Sequence, residues 1–354
     1  MSETSDWYVY VLRCDDDSLY TGITTDLERR VREHNESADG ARYTRSRRPV
    51  ELVAAWPRAD RSAAASLEAR FKSLSRAEKV ARVEVGARPA ELEAAAEAYR
   101  DAFAVDGVSR EDFRPVPPMG DDGGAFESAR RMSEAVESIR GRLVDGTASL
   151  ESPAEEPLFF EGPGLFDGHA LEVGGTTRVF FDVELLASHF AESGFEPRVH
   201  AAHEWVHAVH YGNRPAFYPG RSKSPSEEVW HRMVAEGLAT IGSEQLVGCP
   251  PEVSSWFGLL GSDEVDTWRA RAEERRDAVG EAIFALEESV RMGGELWDEL
   301  FRSLGAAEES RLGYWYGRQI VERAREEVGG FGELLAMPPG EWEERVDAYF
   351  GRDS

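Results

Sequence analysis

The sequence predicts an α+β protein in two parts: a small β-β-α-β-α domain, then a mostly helical domain with a short sheet. Three observations carry this. Aromatic and β-branched runs alternate with turn residues in the first 85 positions, a Pro/Gly-dense stretch interrupts the chain at 114–124, and helical sequence dominates beyond it. At 354 residues the chain also exceeds one average domain.

The elements follow in order. "WYVYVLRC" (7–14) reads as a strand, "DDDS" as a turn and "LYTGIT" (19–24) as a second strand. "TDLERRVREHN" begins a helix, with Thr25 and Glu28 spaced as a capping box. "VELVAAW" (50–56) is a third strand and "SAAASLEARFKSL" (62–74) a second helix. An alanine-rich helix (88–103) and the irregular "RPVPPMGDDGG" form a linker, so the divisions fall at 1–87, 88–125 and 126–354. A helix at 126–143, an irregular Pro/Gly stretch, the strand "TTRVFFDVEL" (176–185) and further helices complete the chain.

Apolar residues make up 41% of the chain, too many for a disordered one. No apolar run approaches a membrane span and the N-terminus lacks signal-peptide character, which implies a cytoplasmic protein without membrane contact. Cys14 and Cys249 are too few and too far apart for a disulfide framework. The net charge is −26, and lysine occurs only at 72, 79 and 223. This implies a halophilic host or an arginine-favouring genome. Residues 1–85 carry 15 basic and 15 acidic side chains, so the whole excess lies beyond them. A surface that meets a polyanion would resist acidification in this way, because phosphate contacts need Arg or Lys.

The ordered set "YVYVLRC…LYTGITTDLERRVREHN…GARYT…LVAAW…LEARFKSL" resembles the GIY-YIG endonuclease domain, in its small single-domain branch, over residues 5 to 85. The resemblance implies a Mg²⁺-dependent nuclease acting on DNA, with Tyr10 and Tyr20 as the two motif tyrosines, Arg30 as the helix arginine and Glu68 as the metal-binding glutamate. Tyr8-Val9 replaces the Gly-Ile of the name motif, and the family's late asparagine has no clear counterpart. The chemistry agrees: a carboxylate holding Mg²⁺, an arginine on the developing charge and a tyrosine that positions or deprotonates water suffice for phosphodiester hydrolysis. His34, four residues after Arg30, falls on the same side of the helix. Arg42, Arg45, Arg47 and Arg48 form the expected phosphate-tracking loop. Read singly, the tyrosines are packing residues and Glu68 is an exposed partner of Lys72. Whether Tyr10 and Tyr20 share a sheet face depends on a hairpin register that the loop does not fix.

"HAAHEWVHAVHYG" (200–212) gathers four of the eight histidines. His203 and His207, at i and i+4, project from one helix face and can share Zn²⁺, with Glu204 placed as base for water at the metal. Glu236 in "VWHRMVAEGLATIGSEQL" (229–246) lies on a helix face that ought to be apolar, which suits a third ligand. His210, His231, Glu227 and Glu228 compete for that role. The bland alternative is a structural helix with hydrogen-bonded histidines. "AAHEWVHAV…VAEGLATIG", with the late "RLGYWYGRQIVERA", resembles gluzincin-type (HExxH…E) zinc metallopeptidases over roughly 155–350. That resemblance implies a peptide or protein substrate, which the "RVFFDV" strand would pair by β-addition. Tyr314 or Tyr316 would be an oxyanion donor or simply core. Together the two halves suggest a DNA-processing or repair role. The alternatives are a DNA-binding module without cleavage joined to a structural zinc domain, or a zinc peptidase with an inert first domain.

Overall fold

The computed structural model describes residues 7–37, 40–85, 89–103, 112–117, 124–147, 150, 156–162, 164, 166–192, 194–288, 294–302 and 310–352. The α+β expectation holds. The first unit contains β1 (Trp7–Cys14), β2 (Leu19–Thr24), α1 (Leu27–Glu36), α2 (Arg42–Arg45), β3 (Val50–Arg58), α3 (Arg61–Ser73) and α4 (Arg76–Glu84). Its sheet is antiparallel, in the order β2-β1-β3. Strand alternation divides the apolar residues between two layers. Val9 and Val11 pack with Ala64, Leu67 and Phe71 on the α3 side, while Tyr10, Leu12 and Cys14 meet Leu27 and Val31 on the α1 side. Helix α1 is not capped by Thr25. The cap is Asp26, whose carboxylate accepts from the Arg29 N–H at 2.9 Å. The short α2 and the Ser75–Glu78 capping box that starts α4 escaped the sequence reading.

The second unit runs α5 (Pro89–Phe103), β4 (Arg114–Pro115), α6 (Ala125–Gly146), β5 (Leu158–Glu161), β6 (Gly168–Val173), β7 (Thr176–Asp182), α7 (Val183–Ala191), α8 (Pro197–Asn213) and α9 (Pro225–Ser243). It closes with α10 (Pro251–Trp256), α11 (Ser262–Phe284), α12 (Glu295–Phe301), α13 (Leu312–Glu327), α14 (Phe331–Leu335) and α15 (Pro339–Phe350). Helix α5, expected in a linker, buries Leu92, Ala95, Ala96 and Tyr99 in the large core. The stretch read as irregular contributes β4, paired with β5 through Arg114 and Glu161, while its residues 118–123 lie outside the described ones.

The second sheet has the order β4-β5-β7-β6. This corrects one expectation: β7, the "RVFFDV" strand, lies inside the sheet, paired with β6 over Thr176–Phe181 and with β5 over Phe180–Asp182, so it is not an edge strand. The edge strands are β4 and β6, and β6 is the one beside α8. Helix α8 lies against this sheet and crosses α9, and α9 in turn crosses α13. The last crossing is made by glycine on glycine, since a Cβ on Gly237 would lie 2.2 Å from the Gly317 carbonyl carbon. The two units touch where the Trp56 indole of β3 donates to the Val116 carbonyl at 2.9 Å.

Candidate functional site

The register Tyr10↔Gly22 and Leu12↔Tyr20 puts both tyrosines on one face of the first sheet. Their ring centroids are 6.2 Å apart. Gly22 makes this possible, because a Cβ there would meet the Tyr10 hydroxyl at 2.6 Å. The Tyr10 oxygen accepts from Arg30 Nε at 3.1 Å and contacts His34 Nε2 at 2.8 Å. On the other side of that ring, His34 Nδ1 lies 2.8 Å from Thr44 Oγ1. Thr44 spends its hydroxyl proton on the Ala41 carbonyl, so it accepts from His34 Nδ1–H. Neutral His34 then has a bare Nε2, to which Tyr10 donates. Burial pushes the Tyr10 phenol up to about 12, and burial followed by the Arg30 charge pulls His34 down to about 4. At neutral pH the tyrosine is therefore protonated and the histidine neutral, and the hydrogen bond between them fixes the direction of the Tyr10 hydroxyl.

His34, expected to touch nucleic acid, is wholly enclosed and would reach it only through Tyr10. Glu68 on α3 bonds Lys72 Nζ at 2.7 Å and shares no hydrogen bond with the tyrosine cluster among the described residues. In the arginine loop, Arg42 and Arg45 are exposed. Arg47 pairs with Asp16 at 2.9 Å and lies 4.2 Å over the Tyr43 ring. Arg48 instead braces the end of α1 through the carbonyls of His34 and Ser37.

In the second unit, α8 and α9 bring His203, His207 and Glu236 together. His203 Nε2 lies 3.0 Å and His207 Nε2 3.2 Å from Glu236 Oε2, and the two nitrogens are 3.1 Å apart. All three residues are buried. Bonds of about 2.0–2.1 Å to a tetrahedral zinc place neighbouring donors about 3.3 Å apart, so two imidazoles and one carboxylate at this spacing fit the ion. Burial opposes a charged Glu236, but the facing imidazoles hold its carboxyl well below the usual range. Of the competing ligands, His231 sits with Glu227 (3.5 Å) and Ser222 (3.1 Å), and Phe217 lies between His231 and His210.

Glu204 is 5% exposed, with Oε1 3.6 Å from His200 Nε2 and Oε2 enclosed without a partner. Despite burial, His200, His207 and His203 keep it ionised. Strand β6 reaches this point, since a Cβ on Gly168 would lie 2.9 Å from Glu204 Cγ. Behind His200 stands Asp167, 2.7 Å from His189 Nε2. Arg232 adds positive charge, its Nε 3.6 Å from Glu236 Oε1. Tyr314 stacks 6.0 Å from His203, whereas Tyr316 points away and donates to the Ala272 carbonyl. The sequence reading missed Asp167, which comes from a stretch without periodicity, and Arg232, which is one more charge on a polar-looking helix turn. Of the two tyrosines in "GYWYG", Tyr314 stands beside the histidines and Tyr316 belongs to the core.

Residues 6–81 match the family described as the GIY-YIG catalytic domain. Over 69 residues the chain is 58% identical to a UPF0213 protein of Desulfotalea psychrophila, covering 20% of this chain and 63% of the relative, so it spans less than two thirds of that protein. A UPF0213 protein of Haloquadratum walsbyi is 54% identical over 79 residues, 22% of this chain and 88% of its own. One from Natronomonas pharaonis is 56% identical over 75 residues, 21% and 87% respectively. No solved structure matches the chain. No helix among the described residues is long and apolar enough to cross a membrane.

Proposed function

The chain belongs, through residues 6–81, to the GIY-YIG catalytic-domain family, and on that premise we propose that its first domain hydrolyses DNA phosphodiester bonds. The observation that carries this reading is the Arg30–Tyr10–His34 network. Tyr10, held by Arg30 and His34, orients or deprotonates the attacking water, and Arg30 neutralises charge on the phosphate. Tyr20 flanks the same cluster, its ring 6.2 Å from that of Tyr10. Mg²⁺ is commonly held by one or two carboxylates plus substrate phosphate, a role Glu68 fills once it leaves Lys72. Arg42, Arg45 and Arg47 track the backbone. Arg30→Ala is expected to lower nicking of plasmid DNA by about 10²-fold while binding persists; unchanged nicking would reject the assignment.

The second domain, from the Pro/Gly stretch to the C-terminus, reads as a zinc metallopeptidase. The convergence of two imidazoles and one carboxylate supports it. Zn²⁺ held by His203, His207 and Glu236 would supply Lewis acidity, while Glu204 takes the proton of the attacking water and strand β6 offers its edge to an extended peptide. Purified full-length protein should contain one zinc per chain and His203→Ala none. Absence of zinc in both would make "HEWVH" an ordinary helix. Carried on one chain, the two sites would serve DNA processing, for example by removing protein from damaged nucleic acid; the charge balance of the first domain is consistent with this.

A further inference from the structure

The face of the first sheet that carries Tyr10 continues past the tyrosine cluster toward the second unit, and there it opens into a cavity of about 630 Å³. The floor of this cavity belongs to that face. Ala55 stands directly across from Tyr10 in the β1–β3 pairing, Tyr8 lies two residues along β1 on the same side, and Leu27 is one turn before Arg30 on α1. Directly paired residues have Cβ atoms about 5 Å apart, and alternate residues of a strand are about 7 Å apart, so the cavity begins one residue's width from Tyr10. The far wall comes from the second unit, through Phe113 just before β4, Arg114 in β4 and Glu161 at the end of β5.

Size and lining suit a nucleotide. The volume falls in the range of about 300–1,000 Å³ that takes small ligands, and it is far too small for a double helix. Tyr8, half-buried in the floor, presents a ring against which any base can lie, since every base has a flat apolar face. The charged residues of the lining are Arg58, Arg114 and Glu161, which leaves one positive charge in excess. That sign stands out against the second unit: residues 86–354 carry 26 basic and 52 acidic side chains, yet here they place an exposed arginine beside the face that carries Tyr10 and Arg30. A planar guanidinium takes phosphate oxygens through paired hydrogen bonds.

We propose that this cavity is a nucleotide subsite, in which Tyr8 takes an unpaired base and Arg114, from the second unit, takes its phosphate. The proposal rests on the nuclease reading of the Tyr10–Arg30–His34 site. At about 3.4 Å per nucleotide of one strand, an occupant here stands about two positions from the phosphate at Arg30. A strand of the DNA substrate and a free nucleotide offer the same chemistry, and they differ in whether the occupant is joined to the bond being cut.

The test measures binding to full-length protein without added Mg²⁺. The fluorescent probes are a blunt duplex and the same duplex with a short unpaired tail, and dCMP alone is titrated by calorimetry. The tailed duplex is expected to bind about tenfold more tightly than the blunt one. Tyr8→Ala and Arg114→Gln should each remove that preference, whereas Tyr8→Phe, which keeps the ring, retains it. Binding of dCMP that is lost in the same two variants, with no preference for the tail, would identify a free nucleotide as the occupant. No preference for the tail together with no binding of dCMP overturns the proposal, and this comparison on the unaltered protein stands even if a variant folds poorly. A preference that survives both Tyr8→Ala and Arg114→Gln overturns it as well. Failure of the nuclease reading would appear separately, as protein that prefers the tail through Tyr8 and Arg114 but cuts no DNA once Mg²⁺ is supplied.

Discussion

Glu204→Gln is expected to leave the zinc in place and to lower peptide hydrolysis by about 10³-fold. The substitution preserves size and hydrogen bonding and removes only the proton acceptor. Three features support the proposed role of Glu204 as acceptor. One oxygen is enclosed without a partner, so it is free to receive a proton. Burial pushes its carboxyl up, yet the hydrogen bond from His200 and the charges of the neighbouring histidines hold it below its ordinary value. It also adjoins both proposed metal ligands on α8 and the first residue of the β6 edge, where water and peptide would meet. Zinc content by mass spectrometry and cleavage of a peptide mixture decide the matter together. Persisting hydrolysis would move the base elsewhere, and loss of zinc would make Glu204 a ligand.

Gly317→Ala is expected to destabilise the protein by about 2–4 kcal/mol and to weaken zinc binding with it. In a free helix the same change would stabilise by about 1 kcal/mol. Here the new Cβ would lie 1.7 Å from the Met233 carbonyl oxygen and 3.1 Å from the Gly237 nitrogen, which are backbone atoms that cannot rotate aside. The helices α9 and α13 must separate, and Glu236, next to Gly237, is carried on the helix that moves while its carboxylate faces α8. Gly141→Ala in α6 is the control, because a Cβ there meets nothing within 4 Å. It should raise the thermal midpoint where Gly317→Ala lowers it. Equal and small shifts for the two would show that the crossing tolerates bulk.

What the sequence made legible was local. The i, i+4 spacing of His203 and His207 determines a shared face on any helix, and a glutamate on an apolar stripe pointed to the third member. Pairing across a hairpin was not local: only the register shows that Tyr10 and Tyr20 share a face, and only the packing shows that Gly22 clears the space. His34 looked like a flanking surface residue because its second partner, Thr44, lies in a short helix after a turn. Strands β5 and β6, of 4 and 6 residues, were hidden by the proline and glycine around them. Asp167 and Arg114 come from segments whose place is set by what packs on them, which no periodicity records.

The contact of Trp56 with Val116 bears on how the chain comes apart. Strand β3 is an outer strand, and its unpaired side lies along β4, with the buried indole bonded across. An open strand side is a template for wrong partners, and here the second unit covers it. Melting of that unit would bare the side, so the free energy that keeps it closed is shared. The first 85 residues are then expected to unfold together with the second unit, in one thermal transition and not two.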